Sequence, residues 1–142
     1  MDRLELKWEL EDCKKGKNVV RRLCVIINGV PLNKIMLSFE EQQSFTHFGD
    51  VFLNQKDVKE YSQDAWLQSI QSGKCHILLL GCDCGHVECS FFYADVYNQD
   101  GWVYWKFGGF PERDYSEFPF YWFDLRDYQK SIDMIFKSEN KY

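Results

Sequence analysis

The sequence predicts an α+β domain, in which a mostly antiparallel sheet carries about two helices. Apolar and charged residues alternate in "RLELKWEL" (3–10), the period-two pattern of a half-exposed strand. Two aromatic-rich runs, 90–97 and 102–107, flank "NQDG", which is typical of a β-hairpin. No repeat, linker or low-complexity tract divides the chain, so we expect residues 1–142 to form a single domain.

The N-terminal half predicts a meander followed by a helix. Residues 19–28 indicate a second, more buried strand, which the turn signal Asn28-Gly29 ends, and the alternation over 35–39 predicts a short third strand. Asp57 has Glu60 three residues later, the form of a capping box. Apolar residues then recur at helical spacing, which predicts a helix over 57–71 with a break near Ser62 and Gly73 as its stop.

The hairpin strands have two different faces. "CHILLL" (75–80) predicts a buried strand before them, in which His76 is interpreted as a core histidine. One hairpin face is predicted to lie in the core: Phe92, Ala94, Val96, Val103, Trp105 and Phe107. The opposite face mixes rings with charges, so it is either half covered by a helix or an exposed recognition surface.

The C-terminal part predicts a loop, a strand and a helix. Residues 108–119 form an acidic loop bounded by glycine and proline, and 120–123 form a final strand. Asp124 is placed to cap a helix whose apolar face includes Tyr128 and Ile132. The tail after Lys137 is polar, and we expect it to fray.

Composition narrows the class of function. The net charge is −5, and residues 41–133 carry fifteen acidic against seven basic residues, so the surface should attract basic partners and repel nucleic acid. The N-terminus has no signal-peptide pattern and no apolar run is long enough to span a membrane, which predicts a cytoplasmic protein with its six cysteines as thiols or ligands. The aromatic share of 18% predicts a ring-rich core, with some rings at the surface.

Chemistry is concentrated in "LLLGCDCGHVEC" (78–89), where three cysteines and a histidine fall within eight residues. The candidate zinc ligands are Cys82, Cys84, His86 and Cys89. Their C-x-C spacing makes shared chelation awkward, and no second pair stands at zinc spacing elsewhere. A nucleophilic thiol needs a nearby cation, whereas the neighbouring charges are Asp83 and Glu88. We therefore favour a glycine-cysteine turn between strands, with a zinc-stabilised module as the alternative and a thiol enzyme as the third hypothesis.

Residues 76–136 resemble a group of small bacterial proteins of largely uncharacterised function. Their pattern is G-C-x-C-G-x-x-G-C after an apolar strand, then V-x-W-x-x-F and F-x-F-D-x-x-x-Y. The matching positions here are Gly81, Cys82, Cys84, Gly85, Cys89, Val103, Trp105, Phe120 to Asp124, and Tyr128. Glu88 stands where the pattern often has glycine. Some proteins that look like this are immunity proteins of toxins, including those of contact-dependent growth inhibition systems. The resemblance implies a binding protein for a cognate toxin, with neither enzymatic activity nor cofactor.

The acidic loop is the candidate binding site. Nuclease toxins carry basic clefts for the phosphate backbone, and an acidic loop can occupy such a cleft as a phosphate mimic. The predicted toxin contacts are Glu112, Asp114, Tyr115 and Glu117, flanked by Asp100 and Trp102.

Overall fold

The chain has the predicted α+β architecture, built from two antiparallel sheets and the helices that pack on them. A computed structural model describes residues 1–12, 19–42, 50–82, 89–111 and 114–139. One sheet has three strands in the order β1-β2-β3, and the other has five in the order β4-β5-β6-β7-β8.

The three-stranded sheet is made by the N-terminal residues. Its strands are β1 (Leu4–Asp12), β2 (Val19–Ile27) and β3 (Val30–Pro31), each antiparallel to the next. The predicted turn is confirmed, because φ is positive at both of its residues, 53° at Asn28 and 83° at Gly29. This geometry matches the twist of the strands that it joins.

The alternation along β1 is confirmed over its first part. Leu4 and Leu6 are buried and Trp8 is half-buried, while the charged residues between them are exposed. Leu10 belongs to the same face but is 67% exposed, so the strand extends beyond the core at that point.

Helix α1 (Leu32–Gln42) replaces the third strand that alternation predicted over 35–39. That prediction was wrong because the apolar side chains in this segment also recur at spacings of three and four. The residues that the helix buries are Leu32, Met36, Phe39 and Glu40. Leu37, which the alternation placed on the buried face, is 45% exposed.

The predicted helix over 57–71 is present as three consecutive elements. They are α2 (Gln55–Asp57), a π-helical turn (Val58–Ser62) and α3 (Gln63–Gln68). Its start lies earlier than predicted, because the side-chain oxygen of Asn54 accepts a hydrogen bond from the backbone N of Asp57 at 2.8 Å. The π-helical turn ends at Ser62, the position of the predicted break.

The five-stranded sheet contains the aromatic hairpin. Its strands are β4 (Asp50–Phe52), β5 (Gly73–Cys82), β6 (Phe91–Gln99), β7 (Trp102–Phe110) and β8 (Tyr121–Asp124). β6 and β7 confirm the hairpin, and Asp100 and Gly101 form its turn with φ of 56° and 83°. Gly73 does not end the helix as predicted but begins β5, with φ of 121°.

Helix α4 (Leu125–Glu139) lies directly after the sheet. Its predicted cap is confirmed, because Oδ2 of Asp124 accepts a hydrogen bond from the backbone N of Asp127 at 3.3 Å. Tyr128, Ile132 and Phe136 are buried at spacings of four. The helix continues past Lys137 to Glu139, and the rest of the predicted frayed tail, residues 140–142, lies outside the described residues.

The core is rich in aromatic rings, as the composition predicts. Its largest fully buried side chains are Trp66, Trp105, Tyr128, Phe92, Phe123 and Phe136. The predicted inner face of the hairpin is confirmed, since its residues are buried except for half-buried Phe107.

A chain of hydrogen bonds crosses this core. The indole Nε1 of Trp105 donates to the hydroxyl of Tyr128 at 3.3 Å, and that hydroxyl lies 2.7 Å from Oγ of Ser69. Ser69 Oγ in turn donates to the carbonyl oxygen of Trp66 at 2.6 Å. The polar atoms of these rings are thereby satisfied without water, and burial raises the pKa of Tyr128 well above its usual value.

We expect Tyr128→Phe to destabilise the protein by about 1–3 kcal/mol, because it leaves the buried Trp105 N–H without its acceptor. Chemical denaturation of the wild type and the variant measures this difference. In a Ser69→Ala background the same change should cost less, because the two hydroxyls share one hydrogen bond. Strictly additive costs of the two substitutions would contradict the network.

Candidate functional site

The acidic loop follows β7 and comprises residues 111–120, of which the structure describes Pro111 and 114–120. It is shorter than the predicted loop 108–119, because residues 108–110 belong to β7. Inward and outward side chains alternate irregularly along it. Tyr115 and Phe118 are each only 7% exposed, whereas Asp114, Glu117 and Phe120 are exposed.

Two buried rings fix the acidic loop on the body of the protein. Tyr115 packs edge-on against Phe92 at 5.1 Å between ring centroids. Phe118 packs edge-on against Phe39 of α1 at 4.9 Å and Phe107 of β7 at 5.0 Å. The loop is therefore held by both the sheet and helix α1, and its exposed residues are presented from a rigid base.

Local hydrogen bonds shape the exposed part of the loop. Oδ1 of Asp114 accepts one bond from the backbone N of Ser116 at 3.0 Å and another from its Oγ at 2.6 Å. The backbone N of Phe118 donates to the carbonyl oxygen of Tyr115 at 2.9 Å, which closes a turn. The bonds from Ser116 hold the pKa of Asp114 below its usual value, so this carboxylate stays charged in mild acid.

The structure does not bring all the predicted contact residues together. Asp100 and Trp102 lie at the turn of the hairpin, whereas the acidic loop follows the other end of β7. β7 ends eight residue steps beyond Trp102, which is about 27 Å of extended strand, and the loop then returns to β8, where Tyr121 pairs with Trp105. Tyr115 points into the core and supports the loop from below, and Glu112 lies outside the described residues.

Concave surfaces adjoin the acidic loop. A cavity of about 770 Å³ lies between the loop and β7, where Lys106 and Phe107 line it. Another of about 530 Å³ lies between the loop and α1, where Lys34 and Phe39 line it. Pro119 lines both, so the loop forms a ridge between two depressions that a partner surface can fill.

The outer face of the five-stranded sheet, opposite its helix-covered face, carries exposed rings. Tyr97 and Trp102 are each 37% exposed, Trp122 is 46% exposed and Phe110 is 49% exposed. Of the two predicted alternatives for this face, the described residues have the exposed one, and its use in recognition stays a prediction.

His76 lies on this outer face, not in the core as its apolar neighbours indicated. Its side chain is about half exposed, its Nδ1 lies 3.0 Å from Oδ1 of Asp95, and its ring lies 4.1 Å from that of Tyr93. Alternation over 76–79 could have placed it correctly, because Ile77 and Leu79 are buried and Leu78 is half-buried, before the register shift at Leu80 ends the alternation.

The cysteine segment is described only at its ends. Cys82 is half-buried at the end of β5 and Cys89 is exposed, while Cys84, His86 and the residues around them lie outside the described residues. In the described part of the chain, no group of three or more histidine, cysteine and acidic side chains is arranged to hold a metal ion.

Two other cysteines are shielded from solvent, Cys24 as a buried thiol and Cys75 as a half-buried one. Burial raises the pKa of both Cys24 and Cys75 to about 11, and Glu9 adds to the effect at Cys24. Sγ of Cys75 also donates to the carbonyl oxygen of Ala65 at 3.7 Å. These thiols are protonated at neutral pH, which makes them poor nucleophiles.

The first site prediction concerns Asp114. Ser116→Ala removes the shorter of its two hydrogen bonds, so we expect the pKa of Asp114 to rise toward that of a free aspartate. Because the folded-state pKa is depressed, the stabilising effect is present above the unfolded pKa and is lost as pH falls through the folded value. Carboxyl NMR titration of Asp114 measures the shift, and an unchanged value would show that the hydroxyl does not act on it.

The second site prediction concerns thiol reactivity. At pH 8 we expect an alkylating reagent to modify exposed Cys89 well before Cys24 or Cys75, whose raised pKa values leave little thiolate. Peptide mapping by mass spectrometry over time gives the three rates, with urea-unfolded protein as the control for equal access. Equal rates in the folded protein would contradict the shielding of the two thiols and their raised pKa values.

None of the described helices combines the length and the apolar character needed to cross a membrane. Comparison of the chain with protein families, with curated proteins and with solved structures finds no match. The resemblance carried by the glycine-cysteine pattern therefore stays a prediction.

Proposed function

We propose that this protein is an immunity protein that binds a cognate antibacterial toxin and occludes the toxin's basic active-site cleft with the acidic loop. The toxin is a nuclease domain of a contact-dependent growth inhibition system, and the complex forms in the cytoplasm, where such a toxin meets nucleic acid. The protein acts by binding and needs no cofactor.

The observation that carries this proposal is the fixed presentation of the acidic loop. Asp114 and Glu117 are exposed on a segment that two buried rings and a closed turn hold in place. A rigid loop loses little conformational entropy on binding, so more of its contact energy appears as affinity. Exposed carboxylates also accelerate encounter with a positively charged cleft and discourage partners of the wrong charge.

An exposed ring supplies the apolar component of the contact. Phe120 is 65% exposed at the end of the loop, beside the cavity that Lys106 and Phe107 line. Aromatic residues at the centre of an interface commonly account for most of its binding energy, while charges at the rim set the association rate. We therefore expect Phe120 to slow dissociation of the complex, and the carboxylates of Asp114 and Glu117 to speed its association.

Charge reversal tests the surface. Asp114→Lys together with Glu117→Lys should weaken binding to the toxin domain encoded next to this gene by about 100-fold, mainly through slower association. The matched control is Glu60→Lys with Asp64→Lys, two exposed carboxylates on the π-helical turn and α3, which changes the net charge equally. We expect less than about a threefold effect from the control. Surface plasmon resonance at two salt concentrations measures both rates, and growth rescue of toxin-expressing cells reports protection.

The outcomes of these measurements test the immunity function and the choice of the acidic loop as its contact surface separately. No binding of the wild type to the toxin, together with no growth rescue, rejects the immunity function. Equal weakening by the loop variant and by its control leaves the function standing but rejects the acidic loop as the contact.

A further inference from the structure

A second surface, on the outer face of the five-stranded sheet, carries three neighbouring rings. We call Trp102, Tyr104 and Trp122 the tryptophan cluster; they lie on the outer face of the sheet at the hairpin end of β7. The ring centroid of Trp122 lies 5.8 Å from that of Trp102 and 5.8 Å from that of Tyr104. Trp102 and Trp122 are 37% and 46% exposed, so solvent reaches both indoles.

Three carboxylate residues neighbour these rings in the strand register, in the hairpin turn or through a backbone hydrogen bond. Asp124 lies directly opposite Trp102 in the β7–β8 register, and Asp100 lies two residues before Trp102 in the hairpin turn. Asp2 adjoins Trp122, whose backbone N donates to its Oδ2 at 3.0 Å. Rings with carboxylates at their edges offer a cation both the ring faces and opposite charges.

The same face already holds one cation in this manner. Nζ of Lys74 on β5 lies 5.5 Å from the ring centroid of Tyr97, and Tyr97 is paired with Tyr104 across the β6–β7 ladder. This face of the sheet can therefore hold a positive group over a ring, as Lys74 of β5 already shows at Tyr97. The tryptophan cluster continues from Tyr97 across the sheet, because Tyr104 of β7 pairs with Tyr97 and Trp122 of β8 pairs with Tyr104.

We propose that the tryptophan cluster binds an arginine side chain of a basic polypeptide partner. A guanidinium is planar and stacks on indole and phenol rings, and it donates several hydrogen bonds to carboxylates at the same time. Asp100 and Asp124 supply that charge here and oppose the approach of a phosphate backbone. The cluster adjoins the end of the acidic loop, because Trp122 comes two residues after Phe120 at the start of β8. Its rings and carboxylates are different residues from those of the proposed toxin contact, and the test below uses no toxin.

The test uses the full chain and a defined probe, an acetylated and amidated peptide of six arginines. Indole N–H signals in ¹H–¹⁵N NMR spectra, assigned with Trp102→Phe and Trp122→Phe, report on each ring. We expect saturable shifts at Trp102 and Trp122, with Trp66 and Trp105 unmoved because both are buried. A peptide of six lysines should bind about three- to tenfold more weakly, since an ammonium does not stack.

Variants locate the site. Asp100→Asn with Asp124→Asn should weaken the peptide by about tenfold while the fold is kept, because asparagine caps a helix as well as aspartate does. The matched control, Asp114→Asn with Glu117→Gln, removes the same number of charges from the acidic loop and should leave the indole shifts unchanged. Trp122→Leu should abolish the shift at Trp102.

Three results would overturn the proposal. The first is a failure of the specific contact. It would be seen either as the absence of indole shifts or as equal loss of binding in the two charge variants, and the latter would mean that net charge alone attracts the peptide. The second is a shift on adding single-stranded oligothymidylate in place of the peptide, which would indicate a nucleic-acid surface. The third is a shift that follows protein concentration without any peptide, which would indicate that a second copy covers the cluster.

Discussion

The buried indole of Trp105 is the contact on which the rest of the structure depends. Its ring lies 5.6 Å from Trp66 of α3 and 5.2 Å from Phe123 of β8, and its N–H bonds to Tyr128 of α4. One side chain of β7 thus joins the sheet to the helices that cover its inner face. Because that face is closed by packing, the exposed rings and charges of the five-stranded sheet are left on the opposite face, where a partner can reach them.

Much of this arrangement can be predicted from the sequence wherever the apolar residues recur with a single period. The alternation of "RLELKWEL" places the residues of β1 correctly up to Trp8, and that of the hairpin strands identifies their buried face. Helix α1 was missed because its apolar residues satisfy both periods, and only Met36 together with exposed Leu37 distinguishes them. His76 was misplaced because continuous apolar residues concealed the outward positions of β5.

The binding surface was less predictable than the fold, because it depends on which residues meet in three dimensions. The sequence marks the acidic loop by composition but does not reveal that Tyr115 points inward, which requires the Phe39 and Phe92 rings to be placed first. It also groups Asp100 and Trp102 with the loop, whereas they lie in the hairpin turn and at the first position of β7. The tryptophan cluster forms because the register of β7 and β8 places Trp122 beside the other two rings, and sequence patterns alone do not determine that register.

The attachment of the acidic loop to Phe39 has a thermodynamic consequence. Since Tyr115 and Phe118 both pack on this ring of α1, we expect the loop to unfold together with the core and not as a separate segment. A partner that binds only the ordered loop therefore binds only the native state of the whole domain. By mass action its binding free energy is added to global stability, so occupancy of a small exposed segment protects distant strands from unfolding and proteolysis.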